Sequence, residues 1–115
     1  MTIQIIDKPV QLGAVRKIAE QTYKDMAKAV VDVSRGVLAV GGELHADAEA
    51  LLLDNGSKQA DLWGINIYPD KPKSERIVFN SFINIRPAQG NRSMDIQAPA
   101  LQEKIRAVVD RLVGG

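Results

Sequence analysis

The sequence predicts an α+β fold: a mainly antiparallel sheet and three amphipathic helices, in the order β-α-β-β-α-β-β-α. Three observations predict it. Runs rich in β-branched residues recur at 2–6, 27–33, 37–41, 61–68 and 76–86. Two of the connections, Ser34-Arg35-Gly36 and Asp70-Lys71-Pro72-Lys73-Ser74, are short polar stretches suited to hairpins. Apolar residues recur at helical spacing over 9–24, over 45–54 and from Pro99 to the Gly114-Gly115 pair.

Each element has a local reason. Thr2 to Ile6 alternates and is β-branched, a short opening strand. Pro9 suits the first turn of a helix, and Leu12, Val15, Ile18, Ala19, Thr22 and Tyr23 give that helix one apolar stripe. Gly13 weakens it by roughly 1 kcal/mol relative to alanine. In the strand 27–33, Ala27, Ala29, Val31 and Val33 share a face; Lys28, Val30 and Asp32 share the other. Gly36 supplies the left-handed position of a three-residue turn. Ala46, Ala48, Ala50 and Leu51 to Leu53 carry the second helix, which Asn55-Gly56 stops. In the long run 76–86, Ile77, Phe79, Ser81, Ile83 and Ile85 point one way; Val78, Asn80, Phe82, Asn84 and Arg86 point the other. Residues 94–96 can pair briefly as an edge. Leu101, Ile105, Val108, Val109 and Leu112 form the stripe of the last helix.

These patterns predict a two-layer sandwich with the helices on one sheet face, that of Ala27, Ala29, Val31, Val33, Trp63, Ile65, Ile67, Ile77, Phe79, Ile83 and Ile85. Alternation puts Lys28, Asp32, Asn66, Tyr68, Asn80, Asn84 and Arg86 on the opposite face, with Val30, Leu38, Val40, Leu62, Val78 and Phe82. Asparagine is a poor strand former, so three of them beside an arginine on an apolar background mark either a solvated surface or a recognition surface. The apolar background predicts self-association as a homodimer through that face.

At 115 residues the chain reads as one domain, 1–115, large enough to bury a core without covalent staples. It has no cysteine, which removes disulfide and thiolate chemistry and suits a reducing compartment. Its first residues carry no basic, apolar export signal, and no run approaches the roughly 18 apolar residues of a membrane span. A cytoplasmic location without membrane contact is expected. The net charge of +1 argues against a general electrostatic grip on nucleic acid, although 71–92 holds Lys71, Lys73, Arg76, Arg86 and Arg92.

Chemistry has its best opportunity at Gly41-Gly42-Glu43-Leu44-His45-Ala46-Asp47-Ala48-Glu49, which contains the single histidine. Two readings stand. In the structural one, Asp47 and Glu49 favour the positive end of a helix dipole and Gly41-Gly42 is a tight strand-to-helix turn. In the functional one, Glu43 and His45 are acid/base groups, since histidine titrates near neutrality. His45 and Glu49 at i, i+4 could face one metal ion, but the second histidine of the helical zinc motif is missing, and no metal site is assigned. No nucleotide-binding, zinc-finger or catalytic-triad signature is present, and no cofactor is identified. Gly90-Asn91-Arg92-Ser93 is either a surface turn or an anion cradle. Trp63 belongs with the core.

The runs Gly41 to Glu49, Gly56-Ser57, Asp61-Leu62-Trp63-Gly64-Ile65-Asn66-Ile67-Tyr68-Pro69, Asn84-Ile85-Arg86-Pro87 and Gly90-Asn91-Arg92-Ser93 together resemble a family of small bacterial proteins catalogued only as a domain of unknown function. The resemblance implies a small bacterial protein and carries no activity. The function expected is therefore undefined, in a self-associating protein. The alternative is a small enzyme or binding protein for a phosphate- or carboxylate-bearing molecule. Glu43 and His45 would be its acid/base groups, and Arg86, Arg92, Asn66 and Asn84 its ligand contacts.

Overall fold

The computed structural model describes residues 2–115. The fold is α+β, as expected. Its elements are β1 (Ile3–Ile6), β2 (Val10–Gln11), α1 (Leu12–Glu20), β3 (Ala27–Asp32), β4 (Val37–Gly41), α2 (His45–Asp54), β5 (Leu62–Ile67), β6 (Ile77–Val78), α3 (Pro99–Leu112) and β7 (Val113–Gly114). Five strands form one antiparallel sheet in the order β1-β4-β3-β5-β6. β2 and β7 make a separate parallel pair that ties the start of α1 to the end of α3.

The helices do not share a face. α1 and α3 pack on one side through Val15, Ile18, Ile105, Val109 and Leu112, over Ala29, Val31, Trp63, Ile65 and Ile67. α2 covers the other through Ala48 and Leu52, against Val30, Ala39 and Leu62. The expectation of two layers with helices on one face is corrected here, and strand order supplies the reason. β1 to β3 and β4 to β5 are both parallel crossovers that skip one strand and move the same way along the sheet. β1 and β4 run in opposite directions. A right-handed crossover must then put α1 and α2 on opposite faces.

A second correction follows from one residue of register. Asp32 pairs with Val37, leaving a four-residue turn in place of the expected three. Asp32 sets that turn: its carboxylate accepts the N–H groups of Ser34 and Arg35 at 2.9 and 2.8 Å. Gly36 follows in the left-handed region, at φ 68°. A one-residue slip exchanges the faces of a whole strand. Leu38 and Val40 therefore join the core under α1 and α3 rather than the opposite face. With Val30 and Leu62 under α2 as well, most of the apolar face on which dimerisation was expected is covered, and of its residues Val78 and Phe82 stay exposed.

The third correction concerns 76–86. Only Ile77 and Val78 are strand; a single bridge joins Asn80 to Asp95, and Phe82 to Asn84 turn as a 3-10 helix. Ser81 starts that turn, its hydroxyl accepting the Ile83 N–H at 3.3 Å. Ser81 lies so close over Gly64 that a β-carbon there would come within 2.6 Å of its Cβ. The first helix is likewise shorter than expected, because residues 10–11 pair with β7 and the helix ends at Glu20.

Trp63 is 4% exposed, packed with Ile65 and Ile67 on the α1/α3 side as the alternation predicts. Trp63→Ala is expected to lower unfolding free energy by roughly 3–5 kcal/mol. A denaturant melt with unchanged slope checks this.

Candidate functional site

β3 and β5 pair Lys28 with Asn66, and both side chains lie on the α2 face. α2 begins at His45 and runs over Val30 and Leu62, so its first turn stands at the edge of the area it covers. Beyond that edge the sheet is open. The result is a concavity of about 270 Å³ lined by Tyr23, Lys28, Glu43, Leu44, His45, Ala46, Ser81, Phe82 and Ile83. This lies just below the roughly 300–1,000 Å³ of most small-molecule sites.

Gly41 and Gly42 make the turn into α2 possible. Their φ values are 121° and 82°, and a β-carbon on Gly41 would collide with the Thr2 carbonyl oxygen. No side chain caps the first turn of α2. The Tyr23 hydroxyl fixes the approach by donating to the Glu43 carbonyl at 2.7 Å.

His45 is 7% exposed, with Nε2 2.7 Å from the Ile65 carbonyl oxygen. A carbonyl only accepts, so Nε2 carries the hydrogen and the lone pair is on Nδ1. Burial pushes the His45 pKa down to about 4; the Ile65 carbonyl opposes this, Lys28 adds to it, and the Asn66 side chain opposes it. The ring is neutral at physiological pH. Lys28 Nζ lies 5.4 Å from the Tyr23 ring centroid, and among the described residues it forms no hydrogen bond or salt bridge. Burial lowers its pKa too. The carboxylate of Glu43 stands on the exposed rim.

The other residues singled out from sequence lie elsewhere. Asn84 is fully buried. Its Oδ1 accepts the Gly64 N–H at 2.8 Å, and its Nδ2 donates to the carbonyls of Gly64 at 2.9 Å and Met94 at 3.1 Å. Its amide thus takes the place of a neighbouring strand where β6 has ended. Arg86 works in the same way on the next stretch of β5. Its guanidinium donates to the carbonyls of Leu62, Gln59 and Ile83, lies 4.6 Å from the Trp63 ring centroid, and faces Glu49 at 3.6 Å. A second concavity, of about 420 Å³, opens over this arginine between Phe82, Ile85 and Gln89. It is larger, but its charges are already paired. Arg92 is exposed on the 87–93 loop, away from both. Asn66 Nδ2 donates to the Asn80 carbonyl at 3.2 Å, while its buried Oδ1 has no partner.

The structure therefore brings Glu43 and His45 together with Asn66 beneath them, and leaves Asn84, Arg86 and Arg92 outside. Sequence reasoning set Lys28 on the candidate recognition face without giving it a role, and missed Tyr23 and Ser81 as lining residues. The available signal was Lys28 itself, the one cation of a mostly apolar strand, between Ala27 and Ala29. His45 and Glu49 line different concavities, and among the described residues no three His, Cys, Asp or Glu side chains gather to hold a metal. No helix among them is long and apolar enough to cross a membrane.

Fold and concavity define an α+β protein with a small, partly charged pocket at the start of a helix. The chain belongs to the family described as "Protein of unknown function (DUF5674)", which matches residues 4–112. No curated protein and no solved structure matches it.

Two outcomes follow. Arg86→Ala is expected to cost roughly 3–5 kcal/mol, because it leaves the buried Oε2 of Glu49 without its counter-charge; chemical denaturation measures it. His45 gives a pH dependence of defined sign. Its folded pKa, about 4, lies below the ordinary 6.5. Its contribution is complete above pH 6.5 and is lost as pH falls towards about 4, with the unfolded chain holding the extra proton between. The amplitude is on the order of 3 kcal/mol. Urea midpoints across that window should fall for the wild type and lose this component in His45→Gln.

Proposed function

We propose that this protein binds a small anionic molecule, a carboxylate or phosphate ester with a short apolar portion, in the concavity at the start of α2. One observation carries the reading: Lys28, a cation without a hydrogen bond or salt bridge among the described residues, and a buried neutral imidazole, His45, line the same concavity beside the apolar Leu44 and Phe82. Lys28 supplies the counter-charge. The uncapped backbone N–H groups at the start of α2 favour negative charge on the same side. Leu44 and Phe82, 61% and 77% exposed, stand where an apolar portion would lie.

In its enzymatic form, this reading gives His45 the acid/base role. Its Nδ1 carries the lone pair at neutral pH, and Glu43 stands at the rim. A second reading, association into a homodimer, is favoured by the exposed Phe82, Leu44 and Ile85 around the two concavities. Sedimentation equilibrium showing only a 12.5 kDa species would remove it.

The binding reading is tested by melting the purified protein with a panel of short carboxylates and phosphomonoesters. A raised midpoint is expected for the wild type, lost in Lys28→Ala and retained in Arg92→Ala. A panel that leaves the wild-type midpoint unmoved overturns the reading.

A further inference from the structure

We propose that anion binding in the α2 concavity is coupled to the uptake of one proton by His45, with the buried Oδ1 of Asn66 as acceptor for the N–H so created. The proposal rests on the binding reading above and specifies how that site is regulated.

The starting point is an unsatisfied atom. Asn66 is 9% exposed, its Oδ1 is buried, and no donor reaches it. A buried acceptor left without a partner costs about 1–3 kcal/mol, so native structures rarely keep one without a reason. The Asn66 amide cannot correct this by turning over, because Nδ2 is held by the Asn80 carbonyl at 3.2 Å. Lys28, the cross-strand partner of Asn66, makes no hydrogen bond to it among the described residues, whereas the Asn66 side chain already acts on the His45 ring, a group able to become a donor. While neutral it has one N–H, and Ile65 takes it. A second proton, on Nδ1, creates the missing donor; the Asn66 side chain accordingly favours the charged ring.

Two forces keep that proton off in the empty protein: burial of the ring and the positive charge of Lys28. An anion on Lys28 reverses the second and places a negative charge beside the ring. The other ionisable groups near the ring are Tyr23 and Glu43 in the flanking loops, and Asp47 and Glu49 on α2 itself. Tyr23 is engaged through its hydroxyl, Glu43 lies at the exposed rim, and Glu49 faces Arg86 in the other concavity. Lys28 is thus the charge that a ligand would neutralise. The proton comes from solvent and ends on Nδ1; no bond to the ligand forms or breaks. By linkage, an anion that raises the affinity for a proton is itself bound more tightly where protons are available.

The test uses ethanesulfonate, whose charge is constant across the range. Calorimetry is run near pH 6 in cationic buffers of different ionisation enthalpy, such as bis-Tris and imidazole, which do not compete as anions. The expected result is net uptake of more than half a proton per anion bound, with affinity falling roughly tenfold between about pH 5 and about pH 7. Whatever binding His45→Gln keeps should be free of proton exchange and of this pH dependence. Because His45 is the single histidine, its ring signals are unambiguous in an NMR titration of the wild type. Its midpoint should move upward from about 4 when ethanesulfonate is added. That measurement decides the matter if the variant does not fold. Binding with no proton uptake and an unmoved His45 titration overturns the coupling while leaving the pocket reading in place. Uptake that persists in His45→Gln also overturns it. No binding of ethanesulfonate or of any carboxylate or phosphate overturns both.

Discussion

The structure depends on how the outer backbone edge of β5 is paired. β6 accompanies β5 only at Asn66 and Ile67. Towards its start, the N–H and carbonyl groups of Gly64 and the carbonyl of Leu62 would be buried without partners, which a folded chain does not tolerate. Side chains complete the ladder: Asn84 closes on both polar groups of Gly64, and Arg86 takes Leu62. Neither can do so from an extended strand, so the chain turns at Ser81 and coils through Phe82–Asn84. Asn91 then gathers the loop, donating to the carbonyls of Asn84, Ser93 and Asp95. The Phe82-Ile83 ridge that divides the two concavities follows from this arrangement.

Much of the fold was legible because burial writes a period into the sequence. The alternation of Ala27, Ala29 and Val31, and of Trp63, Ile65 and Ile67, identified a core face correctly, and the stripe from Leu101 to Leu112 identified its covering helix. What was not legible is relational. Nothing local to Ser34-Arg35-Gly36 says that Asp32 would bind two turn amides and shift the register by one. Nothing local to His45–Asp54 says which face it covers; that is set by the order of strands and the handedness of crossovers. A helix of alanines and leucines packs equally well on either side.

For the candidate site, composition located His45, since a lone histidine beside a glycine turn stands out. The asparagines and Arg86 were harder. A polar residue in an alternating run looks the same whether it faces water, a ligand or a bare strand edge. Asn84 and Arg86 face the edge. Lys28 has the opposite history: it reads as one polar residue among several on that face until the first turn of α2 is placed beside it.

The parallel pairing of Val10-Gln11 with Val113-Gly114 bears on how the molecule assembles. Contacts so distant along the chain close a loop around nearly everything else, and closing it costs entropy that early local structure does not repay. The β3–β4 hairpin and β1 can pair as soon as residue 41 is made, and α2 can cover its face soon after. The other face waits. Ala29, Val31, Leu38 and Val40 stay half-covered by α1 until α3 arrives from far down the chain. A chain that still lacks α3 has one face closed by α2 and the other half-bare, so the docking of α3 is the step that removes its largest apolar surface from water.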